Sequence, residues 1–478
     1  MQEKKKLNVS GYRGVWGQTL TEEIARGYAR AFALFTKEIT GKEKPTILVG
    51  RDGRASGSEI KEIIIPELEK IGASVVYGDV MPTPTVLFAV RKHGYDGAII
   101  ITASHNPIEY NGLKFVNNKA LFTIEDEVSK IESYYESARS SAFGSIAQAG
   151  EPSIAIRQQA DMRADKNTAS RAETPNFSKE HADKIITNIN VSAIRAKKFK
   201  VAVDMINASA CVMDPYLFEQ LGVELIPLNN TPNGQFAHTP EPLKQNLTGI
   251  AELVKTSGAD LGFAHDPDAD RLLIINELGE VISEEYTVAF GIENILSKNS
   301  GKNIVINLST SQMSADIGKK YSSKTFRTKI GEGYVVDGIL AHDAIIGGEG
   351  NGGCIYPAIN TCRDSFTSLA LVLEILAERN QTVSECVATL PKYFMKKDKW
   401  SLAGLNTPLS EMYEKLKSEF NDTIIDEQDG LRLDFPDSSW IHIRPSNTEP
   451  IIRIFGEAKA QEQIDKLFKQ TKLTLGLQ

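Results

Sequence analysis

The sequence predicts an α/β protein of three α/β units followed by a smaller C-terminal α+β unit. Short apolar runs rich in Val and Ile, such as TILVG at 46–50 and KVAVD at 200–204, alternate with amphipathic stretches such as 21–39. Strands that are each followed by a helix indicate parallel α/β layers. Beyond about residue 392 the order changes to a helix, closely spaced strands and a final helix at 459–475, which favours a small antiparallel sheet.

Changes in the order of predicted strands and helices set the predicted bounds of the units. Residues 138–178 are rich in Ser, Ala, Gln and Arg with weak periodicity, so we interpret them as a linker or surface excursion. The α/β units are predicted at 1–137, 179–283 and 284–392, and the α+β unit at 393–478. Units of this length agree with the ~100–200 residues of an ordinary domain.

Composition and charge exclude several classes of function. The 478 residues carry a formal net charge of −8, which argues against general binding of nucleic acid because phosphate backbones require a basic face. None of the four cysteines belongs to a CxxC pair, which indicates a reducing compartment. No run approaches the ~18 apolar residues of a membrane span, and the charged N-terminus lacks the apolar core of a signal peptide. We therefore expect a cytoplasmic protein.

The first loop whose residues suit a chemical reaction is Thr102-Ala-Ser104-His105-Asn106-Pro107, directly after an apolar strand. Ligands of α/β sheets bind at the carboxyl ends of strands. A serine on a constrained turn at such an end can act as a nucleophile or carry a phosphate. Lys114, further along, can bring an ammonium back beside the serine. The alternative is an ordinary turn.

The second loop, Asp266-Pro-Asp268-Ala-Asp270-Arg271, places three carboxylates at alternate positions after another apolar run. Such carboxylates repel one another unless a positive charge lies between them, and hard oxygen ligands in a compact loop suit Mg²⁺. An EF-hand does not fit, because Arg271 and Glu277 stand where that motif needs Gly and its bidentate Glu. A solvated acidic turn is the alternative.

The third loop, 347–353, contains five glycines together with Glu349 and Asn351. Glycines let the backbone approach a ligand closely, and the carboxylate and amide suit sugar hydroxyls. The loop lacks the Lys-Ser/Thr ending of a P-loop, so we interpret it as a sugar-binding loop in preference to a phosphate loop. A flexible hairpin is the alternative.

The fourth loop, 444–450, lies between two predicted strands of the last unit. It combines one guanidinium, two hydroxyls and an amide, from Arg444, Ser446, Thr448 and Asn447. Together with exposed backbone N–H groups, these side chains form a compact phosphate receptor. The alternative is a plain turn with a surface arginine.

In this order, the loops TASHNP, DPDADR, GEGNGG and RPSNTEP closely resemble those of the α-D-phosphohexomutase superfamily, over nearly the whole chain. The superfamily includes phosphoglucomutases, phosphomannomutases and phosphoglucosamine mutases. The resemblance implies four domains around a central cleft, three of them α/β with mixed sheets and the last a smaller α+β domain. It also implies a phosphoserine enzyme that interconverts hexose 1-phosphate and hexose 6-phosphate.

The resemblance further implies a role for each matching residue. Ser104 is the phosphoserine, and its phosphate would hold Mg²⁺ together with Asp266, Asp268 and Asp270. The catalytic set is completed by Lys114 as the proton-transfer lysine, Arg13 of the Gly11-Tyr-Arg13-Gly14 motif, and His105. The substrate-binding set comprises Arg271, Lys329, Glu349, Asn351, Arg444, Ser446, Asn447 and Thr448.

Two departures from the pattern concern the sugar site. Many relatives have Ser-Gly-His in the sugar loop, whereas this chain has Asn351-Gly-Gly353. After Lys329-Ile-Gly331, where relatives often have a histidine, this chain has Glu332. The sequence does not show which group replaces these histidines.

We therefore expect a phosphomannomutase/phosphoglucomutase with Mg²⁺ as cofactor and a hexose 1,6-bisphosphate as activator. A phosphoglucosamine mutase is the alternative, because epimers and amino sugars differ by one group. A serine-dependent phosphatase and a non-catalytic sugar-phosphate sensor are further alternatives. As partners we expect only the small phosphosugar, with no nucleic acid and no membrane, and a monomer or homodimer.

Overall fold

The first unit is built on a five-stranded sheet. The computed structural model describes residues 7–146, 175–402, 407–445 and 451–477. The strands of this unit are β1 (Tyr12–Val15), β2 (Thr46–Arg51), β3 (Ser74–Val80), β4 (Gly97–Ile101) and β5 (Tyr110–Val116), in the order β1-β5-β4-β2-β3. The helices are α1 (Glu22–Thr40), α2 (Ala55–Lys70), α3 (Thr83–His93) and α4 (Glu125–Ile146).

The second and third units each have a four-stranded sheet. The second contains α5 (Phe177–Ile186), α6 (Val191–Lys197), β6 (Lys200–Asp204), α7 (Asp214–Leu221), β7 (Glu224–Leu228), α8 (Thr248–Ser257), β8 (Leu261–His265) and β9 (Leu272–Ile275). The third contains α9 (Glu285–Lys298), β10 (Ile304–Asn307), α10 (Gln312–Lys320), β11 (Thr325–Thr328), α11 (Glu332–Ala341), β12 (Ile346–Glu349), β13 (Gly353–Ile355), α12 (Ser365–Arg379) and α13 (Val383–Ala388). Their strand orders are β7-β6-β8-β9 and β11-β10-β12-β13.

These three units share one topology. In each, a central strand (β2, β6 or β10) pairs in parallel with two neighbours. One neighbour (β4, β8 or β12) then pairs antiparallel with the strand that follows it. The sheets are therefore mixed, and the first three candidate loops occupy equivalent positions, at the carboxyl ends of β4, β8 and β12.

The fourth unit has an antiparallel sheet. Its elements are β14 (Phe394–Ser401), α14 (Leu409–Glu419), β15 (Ile424–Asp426), β16 (Leu431–Asp434), β17 (Trp440–Pro445), β18 (Ile451–Ala458) and α15 (Gln461–Thr474), with the strand order β14-β18-β17-β16-β15. The unit opens with a strand, and the prediction that it opens with a helix is wrong. Strand β14 is a polar edge strand in which Trp400 is the buried residue, so it lacks the apolar run that marks the other strands.

The predicted end of the first unit at residue 137 falls inside helix α4, which continues to Ile146. Buried Val128, Ile131 and Tyr135 hold this helix on the first unit, and the Tyr135 ring stacks on Tyr28 with 4.1 Å between centroids. The remaining part of the predicted linker, 147–174, lies outside the described residues, and α5 begins at Phe177.

The buried core is continuous between the second and third units but separate in the fourth. One apolar cluster runs from Ala182 to Leu390 and includes residues of α9 and α12. The fourth unit has its own cluster around Leu433, Ile441 and Ile454. Among the described helices, none combines the length and apolar character needed to span a membrane.

Polar contacts join the fourth unit to the third. The carboxylate of Glu457 accepts hydrogen bonds from Ser311 Oγ (2.5 Å) and from the Gln312 N–H at the start of α10 (2.7 Å). Lys397 Nζ donates to Glu284 Oε1 at 2.7 Å and lies 3.7 Å from Glu285 Oε1. Burial raises the pKa of Glu285 to about 8, despite the nearby ammonium. Glu285 therefore favours its protonated form at this interface.

We predict that Glu285→Gln stabilises the protein relative to wild type increasingly as the pH rises. The raised pKa means that folded protein retains a proton that unfolded protein loses above about pH 4.5. The stability due to protonated Glu285 is therefore complete below that pH and is lost as the pH rises through about 8. Between about pH 5 and pH 8, urea unfolding should show the variant gaining roughly 3 kcal/mol of stability relative to wild type.

Glu284→Gln is the matched control. The pKa of Glu284 is lowered, because the contribution of Lys397 outweighs that of burial, so this variant should lose stability at neutral pH. A difference between Glu285→Gln and wild type that does not change with pH would contradict the prediction.

Candidate active site

Ser104 lies at the carboxyl end of β4, in the turn that leads to β5. Its backbone has a φ of 51°, its N–H donates to Thr102 Oγ1 at 2.8 Å, and its side chain is buried. Ser104 Oγ donates to Asp266 Oδ2 at 3.1 Å and lies 3.2 Å from His105 Nδ1. The turn thus holds the serine in a strained conformation that directs its hydroxyl at the acidic loop of the second unit.

Arg54 holds this turn in place through hydrogen bonds to its backbone, and sequence reasoning missed this residue. Its guanidinium is fully buried, pairs with Asp52 Oδ2 at 3.0 Å, and stacks on the Phe236 ring at 4.8 Å. It donates to four carbonyl oxygens at 2.6–2.9 Å, those of Ser104, Asn106, Pro107 and Tyr110. The position of Arg54 just after β2, at another carboxyl end, was the available signal.

The three aspartates of the second loop converge after β8. All three are buried, and one oxygen from each lies within 4.8 Å of the others. Asp268 Oδ2 accepts from Lys114 Nζ at 2.6 Å and from Thr83 Oγ1 at 2.8 Å. Lys114 Nζ also lies 3.6 Å from Asp270 Oδ2. Two residues of the first unit thus anchor the acidic loop of the second.

Electrostatics differ sharply within the triad. Burial, together with the carboxylates of Asp270 and Asp268, raises the pKa of Asp266 well above its usual value. Burial alone would raise the pKa of Asp268 as well, but the ion pair and hydrogen bond with Lys114 lower it below its usual value. The triad therefore carries one carboxylate stabilised by a cation and one that lacks such compensation.

The donor set fits a divalent metal ion. Asp268 Oδ1 and Asp270 Oδ1 are buried, and neither accepts a hydrogen bond from any residue in the described ranges. Such an oxygen costs roughly 1–3 kcal/mol unless a partner is bound. Buried carboxylate oxygens close together are typical of Mg²⁺ and similar hard cations. The triad can therefore hold a metal beside Ser104 Oγ.

Arg13, His105 and Arg271 surround this centre. Arg13 NH1, on β1, donates to Asn106 Oδ1 of the serine turn at 3.2 Å. Burial, followed by the positive charges of Arg271 and Arg13, lowers the pKa of His105 to about 2, so its imidazole is neutral at physiological pH. Arg271 Nε lies 3.7 Å from Asp270 Oδ1. The centre is rich in positive charge, as a site for phosphate requires.

The third loop forms the turn between β12 and β13. Glu349 is buried and accepts from Asn307 Nδ2 at 2.9 Å and from the Gly331 N–H at 3.0 Å. Asn351 Nδ2 donates to Glu349 Oε2 at 3.4 Å, while the buried Asn351 Oδ1 has no hydrogen-bond partner among the described residues. A Cβ at Gly350 would lie 2.0 Å from Glu285 Oε2, so any larger residue there would displace the Glu285 carboxylate.

Arg363 connects the second and third loops, and sequence reasoning missed this residue too. Its NH2 donates to Asp270 Oδ2 at 2.7 Å, and its NH1 lies 3.2 Å from Glu349 Oε2. Its Nε donates to Glu332 Oε2 at 3.1 Å. Burial raises the pKa of Glu332 to about 7, although Arg363 opposes this shift. The two positions without the expected histidines are residue 332, which is Glu332, and residue 353, which is Gly353. The Arg363 side chain lies beside Gly353.

Two further predicted residues, Arg444 and Lys329, lie near a contact between the third and fourth units. Arg444, near the end of β17, has its Nε 3.4 Å from Asp429 Oδ1, and Asp429 Oδ2 accepts from the Ile330 N–H at 3.0 Å. The exposed Lys329 has its ammonium 5.5 Å from the Tyr334 ring centroid. Asp429 therefore brings Arg444 close to the segment that carries Lys329. Ser446, Asn447 and Thr448 lie outside the described residues.

Fold and site together define a multidomain α/β protein with a serine–carboxylate centre that suits phosphoryl chemistry. Four family models, all of phosphoglucomutase/phosphomannomutase, match consecutive parts of the chain. The alpha/beta/alpha domains I, II and III match residues 4–142, 179–279 and 284–394, and the C-terminal domain matches 404–473. The chain therefore belongs to the phosphoglucomutase/phosphomannomutase family, which confirms the resemblance to phosphohexomutases.

Individual relatives agree along the full length. The phosphoglucomutase/phosphomannomutase of Thermococcus kodakarensis is 34% identical and covers 96% of each chain. The phosphoglucosamine/phosphogalactosamine mutase of Sulfurisphaera tokodaii is 31% identical over 98% of each. Among solved structures, a phosphoglucomutase/phosphomannomutase family protein from Burkholderia thailandensis matches with a TM-score of 0.79 and 25% identity, over 99% of this chain and 98% of that one.

We predict that Arg54→Ala destabilises the protein by about 3–5 kcal/mol, because it leaves Asp52 buried without its cation and four carbonyls without donors. Urea unfolding monitored by circular dichroism measures the loss. Arg26→Ala is the matched control, since the Arg26 side chain is 40% exposed and Glu67 keeps two other cations. The control should lose less than about 1 kcal/mol. Equal losses in both variants would show that Arg54 does not hold the turn.

Proposed function

We propose that the protein is a phosphohexomutase of the phosphomannomutase/phosphoglucomutase type. It would interconvert hexose 1-phosphate and hexose 6-phosphate through a phosphoserine at position 104 and a hexose 1,6-bisphosphate. The observation that carries this proposal is the 3.1 Å contact between Ser104 Oγ and Asp266 Oδ2, which joins residues 162 positions apart in the chain. The named mutases among the relatives support the same reaction class.

Mg²⁺ is the proposed cofactor, held by Asp266, Asp268 and Asp270 together with the phosphate on Ser104. When bound, it would neutralise charge on the phosphoryl group as that group is transferred. Asp268 Oδ1 and Asp270 Oδ1, which accept no hydrogen bond from the described residues, support this assignment. A hexose 1,6-bisphosphate would serve as activator, because it can supply the phosphate that first loads Ser104.

Transfer breaks the bond between phosphorus and Ser104 Oγ and forms one between phosphorus and a sugar hydroxyl oxygen. The hydroxyl gives up its proton, and Ser104 Oγ gains one as the phosphoryl group leaves. Lys114 is the proposed proton-transfer group, because Asp268 fixes its Nζ within the centre. Arg13 and Arg271 would stabilise the transferring charge. The return transfer, from the other phosphate of the bisphosphate, reverses these steps.

His105 is proposed to orient Ser104 and its phosphate and not to act as the base. Its Nδ1 lies 3.2 Å from Ser104 Oγ, which is within reach of a hydrogen bond. An imidazole whose pKa is lowered to about 2 is a poor proton acceptor at neutral pH, but as a neutral ring it still has one N–H to donate.

Recognition of the sugar and recognition of its second phosphate are proposed for two separate groups of residues. Glu349 and Asn351 would bind sugar hydroxyls. Arg444, Lys329 and the loop residues Ser446, Asn447 and Thr448 would hold the phosphate that does not react. Such a receptor would contact the phosphate and not the sugar ring, so it would accept the bisphosphate in either orientation.

We predict that Ser104→Ala folds normally but has no mutase activity and takes up no phosphate from glucose 1,6-bisphosphate. The reason is that the substitution removes only the side-chain hydroxyl group, which is the proposed carrier of the phosphate. Intact mass measurement would detect the phosphate on wild type, and Ser129→Ala, on the exposed face of α4, is the matched control. Near-normal turnover by Ser104→Ala would exclude this serine as the carrier.

The product of glucose 1-phosphate separates the remaining alternatives in the same experiment. Glucose 6-phosphate indicates a mutase, and free phosphate indicates a phosphatase. Binding without either product indicates a sugar-phosphate sensor. Wild-type protein that releases phosphate without forming glucose 6-phosphate would overturn the proposed function.

A phosphoglucosamine mutase is the second candidate function, and one observation favours it. The buried Asn351 Oδ1 accepts no hydrogen bond from the described residues, so it can accept one from an ammonium on the sugar. The relative from Sulfurisphaera tokodaii, which bears the name of an amino-sugar mutase, is consistent with this role.

We predict that Asn351→Ala lowers kcat/KM for glucosamine 1-phosphate roughly tenfold more than for glucose 1-phosphate, because a hydrogen bond to a charged group is lost. The assay compares mannose, glucose and glucosamine 1-phosphates, each primed with the matching bisphosphate. For wild type we expect higher kcat/KM with glucose and mannose than with glucosamine. An equal loss of kcat/KM for all three sugar phosphates would show that Asn351 does not bind the amino group.

A further inference from the structure

Arg363 contacts three carboxylates that belong to different parts of the site. It precedes helix α12, and each of its three guanidinium nitrogens contacts a different acidic residue. These are Asp270 of the acidic loop 266–271 (the metal loop), Glu349 of the glycine-rich loop 347–353 (the sugar loop) and Glu332 of helix α11. The backbone N–H of Arg363 also donates to Glu332 Oε1 at 2.8 Å. No cation other than Arg363 contacts both Asp270 and Glu349 in the described part of the chain.

The surrounding residues fix the direction of this side chain. Arg363 is 8% exposed, and a Cβ at Gly353 would lie only 2.6 Å from its Cδ, so the glycine makes room for the arginine stem. Asp364, the next residue, caps α12, and its N–H donates to Cys354 O at 3.0 Å. The guanidinium therefore points from a fixed backbone into the space between two loops.

A planar guanidinium sets the relative positions of its partners, which a single ammonium cannot do. Arg363 NH2 holds Asp270 Oδ2 at 2.7 Å, and the other oxygen of the same carboxylate has no hydrogen-bond partner in the described part of the chain. Glu349 Oε2 is held 3.2 Å from the same group. A displacement of either carboxylate must therefore be transmitted to the other through one rigid fork.

We propose that Arg363 is a positioning residue that couples metal binding at Asp266, Asp268 and Asp270 to sugar recognition at Glu349. The proposal rests on the proposed function in that it takes these loops to bind a divalent ion and a sugar phosphate. Order imposed on Asp270 by the metal fixes Arg363, and Arg363 then fixes Glu349. Linkage requires the reverse effect to be equal, so the sugar phosphate should strengthen metal binding by the same factor.

Arg363→Lys separates this role from simple neutralisation of buried charge. The substitution keeps the positive charge but removes the fork. Isothermal titration calorimetry on the full-length protein would measure Mg²⁺ affinity with and without glucose 6-phosphate, and glucose 6-phosphate affinity with and without Mg²⁺. We expect Mg²⁺ affinity to fall roughly 10–100-fold, as for other groups that orient metal ligands, and the mutual enhancement of the two ligands to disappear.

Arg379→Lys is the matched control. Arg379 lies at the other end of α12, pairs with Glu293, and makes no hydrogen bond or ion pair with either loop among the described residues. It should keep wild-type affinities and wild-type coupling. If Arg363→Lys also keeps them while its melting temperature falls, Arg363 has a structural role only and the proposal is overturned.

Glu349→Gln tests the same coupling should Arg363→Lys fail to fold. No hydrogen bond or ion pair joins Glu349 to the metal triad in the described ranges, but the neutral amide of the variant would hold Arg363 less strongly. Mg²⁺ affinity should therefore fall severalfold. Unchanged Mg²⁺ affinity in this variant would contradict the proposal. If wild type binds Mg²⁺ but neither binds nor converts glucose 6-phosphate, the proposed function fails, and the Mg²⁺ affinities of the variants still decide whether Arg363 positions the triad.

Discussion

The structure depends on cations from neighbouring units that compensate two of the three buried aspartates, Asp268 and Asp270. Burying an uncompensated carboxylate costs several kcal/mol, so a loop with three of them is not stable by itself. Lys114 of the first unit lies 2.6 Å from Asp268, and Arg363 of the third lies 2.7 Å from Asp270. Because each cation comes from a different unit, the contacts that build the site also hold three units together.

The repeated topology explains how one site acquires three kinds of chemistry. The turns after β4, β8 and β12 occupy equivalent positions in three similar sheets, yet they carry a serine, a set of aspartates, and a glycine-rich segment with Glu349. Each turn alone resembles an ordinary connection between strands. Their function follows from the arrangement of the three sheets, which brings the three turns to one place.

The sequence predicted the elements and residues whose signal is local. The apolar runs at 46–50 and 200–204 are strands β2 and β6, and the acidic trio stands out by its spacing. Strand β14 was missed because a polar edge strand carries no apolar run. Arg54 and Arg363 were missed for a different reason. An arginine acquires such a role through its partners, here Ser104 and Asp270, which lie 50 and 93 residues away.

The fourth unit is held in a different way from the other three, and this difference bears on the reaction. Its core is separate, and its contacts with the third unit are mainly polar, through Glu457 and Lys397. Interfaces of this kind permit relative movement of domains, whereas the buried ion pairs of the metal loop resist it. In the proposed reaction the bisphosphate would have to reorient, which would require a fixed centre for the transferring phosphate and an adjustable site for the other phosphate. Arg444 belongs to the fourth unit, whereas Ser104 contacts the acidic loop that the buried ion pairs hold.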